Sequence, residues 1–334
     1  MGNTIRIVGL VVVIIGITIL FLKGDKDEDK IAKEVVKTED GVSRVFAFKD
    51  SGLKTNTAKA SIPLDQVLSG GPGKDGIPAI FKPKFTNIKE AEKKINDDVD
   101  GLVVKVGDTV RFYPYNIMVW HEIVNDKVES KALTVTFCPL CGSAIVFEAD
   151  IDGKREQFGV SGKLFESNLL MYDRSTESLW SQSIGTAVVG DRTGEELTVY
   201  PSQVLSFKTL KKKWPKAQVL STDTGYNRNY NFYPYGNYDD NDELFFPVSV
   251  NDNRLPTKEI MYVVNSNDKS VAFVVKDLSE NIVSVDAGGS EVTAAIIDGE
   301  IVVKDATGKV LPGYNEMWFS WATHHQEDGV VWQK

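Results

Sequence analysis

Apolar and polar positions divide the chain into three regimes. Residues 7–22 form an unbroken apolar run with Arg6 before it and Lys23 after it. As a helix rising about 1.5 Å per residue, the run spans about 24 Å. Ile5 and snorkelling Arg6 and Lys23 extend it towards a bilayer core of about 30 Å. The following Lys23-Gly24-Asp25-Lys26 offers no small-x-small cleavage site, and no lipid-accepting cysteine follows. The run therefore predicts an uncleaved N-terminal transmembrane helix, residues 1–24, in preference to a cleaved leader. Residues 25–60 are charged and polar apart from an apolar stretch at 45–48, and predict a solvated stalk.

From residue 61 to 334 the pattern is that of a β-rich domain. Residues 102–106 and 109–113 flank Gly107-Asp108, a two-residue hairpin signal. Residues 132–137 alternate, which predicts a half-buried strand with Leu133, Val135 and Phe137 inward and Thr134 and Thr136 outward. Further strands are expected at 143–148, 260–264, 271–275, 282–285, 294–297 and 300–303, the last two around an Asp298-Gly299 turn. Helices are expected at 86–96, capped by Thr86 or Asn87, and at 203–214, where Phe207, Leu210 and Trp214 share a stripe that Pro215 ends. The fold class is α+β, predominantly β: antiparallel sheets with a few short helices.

A faint repeat matches residues 188–197 to 302–311 at their Val-Val, Asp, Thr-Gly and Leu positions, with Ser206-Phe207 in register with Ser320-Trp321. Two unrelated hairpins with similar turns would produce this. So would a duplicated β-rich unit, with halves at 101–220 and 250–334.

Charge changes the picture by exclusion. A net charge of -9 leaves no basic face for nucleic acid. A plain count of Lys and Arg beside the apolar run would place the body in the cytoplasm. Large domains cross membranes largely regardless of such charges, and Asp and Glu interleave these lysines, so an extracytoplasmic body on a single-pass anchor is favoured.

The chemistry is concentrated in 2 Cys and 3 His. Cys138-Pro139-Leu140-Cys141-Gly142 sits between two expected strands, the shape of a metal knuckle. Zinc or copper held by Cys138, Cys141 and His121, completed by His324 or His325, is the leading expectation. A redox-active dithiol pair is the second, although no helix N-terminus supports it. An inert structural pair is the third. Glu122 could orient a ligand. His324 and His325, adjacent on an expected strand, would point to opposite faces. Asp173 caps an expected turn; with Trp180 and Gln182 it is also a candidate for lining a pocket. The tyrosine-rich segment 226–238 could form a partner surface or pack on itself. Gly70-Gly71-Pro72-Gly73-Lys74 lacks the end of a phosphate loop, and residues 239–243 lack the Gly and distal Glu of a calcium loop.

The run Thr136-Phe137-Cys138-Pro139-Leu140-Cys141-Gly142-Ser143-Ala144-Ile145-Val146-Phe147 resembles the hallmark of a prokaryotic family, domain of unknown function 3179. The resemblance takes in His121-Glu122-Ile123-Val124-Asn125-Asp126, Phe158-Gly159-Val160-Ser161-Gly162, Met171-Tyr172-Asp173-Arg174, Ser178-Leu179-Trp180-Ser181-Gln182 and Trp318-Phe319-Ser320-Trp321, from about Leu64 onward. The family pattern is usually written with Thr at the second cysteine, which implies Cys138 and His121 as the working pair. Where many relatives end in Phe-His-Pro, this chain reads Thr323-His324-His325-Gln326. The resemblance implies a secreted or membrane-anchored domain and carries no established activity. Two further functions stay open: a non-enzymatic surface-binding module using the tyrosine segment and the aromatic C-terminus, and a dithiol/disulfide oxidoreductase.

Overall fold

The computed structural model describes residues 51–334. The expected anchor at 1–24 and the stalk as far as residue 50 lie outside the described residues. Among the described residues no helix is long and apolar enough to cross a membrane. The architecture is mostly β, with antiparallel and mixed sheets and short helices.

In chain order, β1 (Leu68–Ser69), β2 (Phe85–Asn87) and α1 (Ile88–Ala91) precede the hairpin β3 (Asp100–Val106) and β4 (Thr109–Pro114). The one-turn α2 (Tyr115–Met118) leads into β5 (Ile123–Val128), β6 (Lys131–Cys138) and β7 (Ser143–Glu148). A small hairpin, β8 (Asp150–Ile151) and β9 (Lys154–Arg155), precedes the meander β10 (Phe158–Phe165), β11 (Asn168–Asp173), β12 (Leu179–Ser181) and β13 (Ala187–Val189). Then come β14 (Ser202–Ser206), α3 (Phe207–Lys213) and β15 (Gln218–Leu220). After a long irregular segment follow β16 (Ile260–Ser266), β17 (Lys269–Val274), β18 (Val283–Asp286), β19 (Glu291–Ile297), β20 (Glu300–Lys304), β21 (Gly313–Met317), α4 (Trp318–His324) and β22 (Gly329–Trp332).

Two sheets share one plan. One runs β14-β3-β4-β15-β2; the other begins β22-β17-β16-β21 and continues through β7-β6-β5. In each, a hairpin takes an antiparallel strand on one side and a parallel strand on the other: β14 and β15 beside β3-β4, β21 and β22 beside β16-β17. A seven-residue helix joins the flanking strands each time, starting after Ser206 and after Met317. Ser206 pairs with Asp100, and Met317 with Ile260. The matching positions are thus Ser206 and Met317, three residues away from the Ser206–Ser320 alignment expected from sequence. The segments 188–197 and 302–311 share turn chemistry but not bridge register.

Several elements differ from expectation for identifiable reasons. Residues 203–206 are strand, because they complete the β3 ladder; the helix starts only where Ser206 accepts a hydrogen bond from Thr209 N–H. Thr134 and Thr136 are buried, because β6 has neighbours over both faces. Trp318–His324 is a helix, so His324 and His325 sit at a helix end instead of on a strand. The 86–96 expectation shortens to α1, capped by the Asn87 side chain.

β10 and β11 change register between Val160 and Lys163, where Ser161 and Gly162 form the irregularity. Gly162 has φ +73°, and a Cβ there would lie 1.9 Å from the Pro72 carbonyl oxygen. Both a left-handed conformation and a backbone collision oppose any side chain. Gly162→Ala should cost roughly 2–4 kcal/mol, read as a lowered urea midpoint at an unchanged slope.

Candidate functional site

The cysteines occupy the turn between β6 and β7. Cys138 ends its strand opposite Ser143, and the Cys141 N–H donates to the Cys138 carbonyl at 3.2 Å. Gly142 closes the turn at φ +55°. Both thiols are free and buried. The Met317 N–H donates to the Cys141 carbonyl at 2.8 Å, tying the turn to the start of α4.

The two sulfurs are inequivalent. Burial pushes the Cys138 thiol up, but hydrogen bonds from the Cys141 thiol and from the backbone N–H groups of Leu169, Cys141 and Leu140 outweigh it. The net effect holds Cys138 below the ordinary thiol value. Cys141 is pushed well up by burial first, then by its hydrogen bond to Cys138 and by Cys138's charge. Its Sγ lies 3.3 Å from the Ser167 carbonyl, so its one S–H proton is shared between that oxygen and Cys138. The pair is thus pushed apart, Cys138 towards easier ionisation and Cys141 away from it.

Glu122 supplies the ionisable neighbour. It is buried, and its carboxyl is pushed well above the carboxylate range by burial and then by the charge of Cys138. Its backbone takes φ +56°, held by the Phe137 N–H donating to its carbonyl at 2.8 Å. The β10–β11 turn facing Cys141 carries Glu166 and Ser167 at φ +51° and +62°. Three non-glycine residues in left-handed conformations thus frame the cysteine turn, a placement that costs energy and recurs at functional sites.

A buried polar network fastens these turns together. The Gln182 side-chain carbonyl accepts from Ser143 Oγ at 2.6 Å and Asn168 Nδ2 at 2.9 Å, and its Nε2 donates to Thr136 Oγ1 at 2.9 Å. The Asn168 carbonyl oxygen accepts from the Ser183 N–H at 3.0 Å. Ser183 Oγ and Ser320 Oγ both donate to Glu316 Oε1, each at 2.6 Å.

The sequence matches the family described as "Protein of unknown function (DUF3179)" over residues 74–310. The chain belongs to this family. No curated protein and no solved structure matches it. The DUF3179 match spans the cysteine turn, the Glu122 corner and Gln182, whereas Glu316 and α4 lie beyond its end.

The DUF3179 domain does not gather the five candidate metal ligands. His121 Nδ1 lies 2.7 Å from the Pro78 carbonyl and Nε2 lies 2.7 Å from the Tyr230 hydroxyl. A carbonyl only accepts, so Nδ1 carries the proton and Nε2 accepts from Tyr230. Both nitrogens are committed, and the Cys138 charge acts on Glu122 and is not among the influences on His121. His324 Nδ1 faces the Ser320 carbonyl at 2.8 Å, and His325 Nδ1 pairs with Asp328 at 3.1 Å. Among the described residues, no group of three or more His, Cys, Asp or Glu is placed to hold a metal ion.

Asp173 accepts from the Thr176 N–H at 2.6 Å and from Trp180 Nε1 at 2.9 Å, so this pair stiffens a turn inside the core. The tyrosine segment covers the cysteines. The buried Tyr238 donates its hydroxyl to the Leu140 carbonyl at 2.8 Å. Lys258 lies 3.4 Å over its ring, and Phe245 packs at 4.4 Å. Tyr230 is likewise buried, while Tyr226 and Phe232 are exposed. Glu316 and Ser320 escaped the sequence reading. The signal was a carboxylate placed directly before the apolar run Met317-Trp318-Phe319.

Burial lowers His121 to about 4 from an ordinary 6.5, and lowers His324 to about 4 as well. Both native values are depressed, so the unfolded chain takes up these protons first as pH falls. The stabilisation is complete above about pH 6.5 and is lost towards about pH 4, worth roughly 3 kcal/mol for fully buried His121. Urea midpoints should fall across that window, and His121→Asn should remove the His121 part of that fall, leaving that of His324.

Proposed function

We propose that the Cys138–Cys141 turn is a thiol–disulfide redox centre, carried outside the cytoplasm by an N-terminal membrane anchor. The observation that carries this reading is the asymmetry of the sulfurs: four donors around Cys138, one of them the Cys141 thiol, favour its thiolate, whereas Cys141 is held as the thiol. A low-pKa thiolate beside a protonated partner thiol is what disulfide exchange requires. The apolar run at 7–22 supports the anchor, and an extracytoplasmic compartment is one in which disulfides form and persist.

In the proposed exchange, the Cys138 thiolate attacks a substrate disulfide. One sulfur joins Cys138 and the other leaves as a thiolate, which takes a proton from the Glu122 carboxyl. Cys141, once deprotonated, attacks the Cys138 sulfur, expels the second substrate thiolate and closes the Cys138–Cys141 bond. The substrate gains two electrons and the protein loses them. Regeneration needs an external dithiol. The sulfurs are covered, so the segment bearing Tyr238 must lift from Leu140 for substrate to enter. Zinc or copper is the weaker reading, because two sulfurs supply half of a tetrahedral site and no third donor converges on them among the described residues.

The reduced protein should be equilibrated in glutathione buffers and its thiols counted by alkylation and mass spectrometry. Both thiols should disappear together in one two-electron transition. Cys141→Ser should stop at a mixed disulfide on Cys138, and Cys138→Ser should not react. Native thiols that stay inert, or stoichiometric zinc or copper in the purified protein, would overturn the proposal.

A further inference from the structure

We infer that Glu316, acting through Ser320, receives the proton of Cys141 when the Cys138–Cys141 disulfide closes, an assignment that rests on the redox reading above. Glu316 is fully buried near the end of β21; no Lys or Arg pairs with it among the described residues, and His325 is the titratable group whose charge acts on it. A carboxylate in that position is costly unless its oxygens are satisfied. Only Oε1 is: it accepts from Ser183 and Ser320, while Oε2 is buried with no hydrogen-bond partner among the described residues. Ser320 is also a side-chain partner of the Cys141 sulfur; with its own proton given to Glu316, its oxygen is left to accept from the thiol. A two-step path therefore runs from Cys141 Sγ to Ser320 Oγ to Glu316 Oε1, and the Met317–Cys141 backbone hydrogen bond holds its two ends together.

Both groups suit the transfer. Burial raises the Glu316 carboxyl above its usual range, which makes its ionised form a stronger base. After burial itself, the influences that hold the proton on Cys141 are its hydrogen bond to Cys138 and the Cys138 charge. Both vanish once Cys138 is tied up as a neutral mixed disulfide. Cys141 thus becomes more acidic at the step that needs its thiolate. The thiol passes its proton to Ser320 Oγ as Ser320 gives its own to Glu316. The balance is a thiol and a carboxylate becoming a thiolate and a carboxylic acid. The thiolate then attacks the Cys138 sulfur, and the outgoing substrate thiolate carries away the electron pair of the broken S–S bond. Glu316 and Ser320 touch the reacting proton, not the substrate.

An aromatic disulfide that releases a coloured thiolate separates the two steps. The first equivalent reports attack by Cys138 and the second reports ring closure by Cys141. Glu316→Gln should leave the first release unchanged and slow the second by roughly a hundredfold. Its pH profile should then track hydroxide, without the inflection of a buried carboxyl. Ser320→Ala should slow the second step in the same way, and it serves as the reading should Glu316→Gln fail to fold. Second-step rates within twofold of the parent in the folded variants would overturn the assignment while leaving the redox reading intact. Absence of even the first release from the parent protein would overturn both.

Discussion

The hydrogen bond from the Cys141 thiol to the Cys138 sulfur is the interaction around which the buried centre is organised. An anionic sulfur inside a core is tolerable only when donors surround it. Cys141 and two backbone N–H groups of the same turn supply most of them, and Leu169 at the start of β11 supplies another. The last donor brings a second hairpin into the site, and Gln182 keeps that hairpin against β6 and β7. The left-handed residues at 122, 166 and 167 are the conformational cost of aiming three corners at one turn.

The two matched sheets explain where the site sits. In the first, the chain between β4 and β14 leaves to build β5–β13, and so carries the cysteine turn, Glu122 and Gln182. In the second, the corresponding excursion from β17 to β21 is only the three-stranded β18–β20 sheet. β7 then pairs with β21 through Asn315 and Ala144. That pairing, with the Met317–Cys141 hydrogen bond, brings the insertion of one unit against the helix start of the other, where Glu316, Met317 and Ser320 meet Cys141.

Much of this was legible in the sequence, and the rest was not for physical reasons. Hairpins announced by Gly107 and by Asp298-Gly299 formed as expected, because turn chemistry is local. The Cys138–Cys141 spacing marked the centre. Thr136 was misjudged because alternation shows periodicity but not whether a second layer covers the polar face. The 203–206 segment was misread as helix because ladder pairing with β3 overrides local propensity. His121 resembled a ligand, but its partners, Pro78 and Tyr230, lie 43 and 109 residues away. Glu316 lies 175 residues from Cys141 in sequence (316 − 141) and meets it only through the β7–β21 junction.

The ultraviolet absorbance of the thiolate, followed against pH in the reduced protein, tests the central claim without requiring any reagent to reach the buried sulfurs. One sulfur's worth of thiolate should titrate below the ordinary thiol value of 9.0. That signal should vanish in Cys138→Ser and move upward in Cys141→Ala, which removes the donor. A thiolate band that survives Cys138→Ser, or the absence of any band below the ordinary value, would contradict the account.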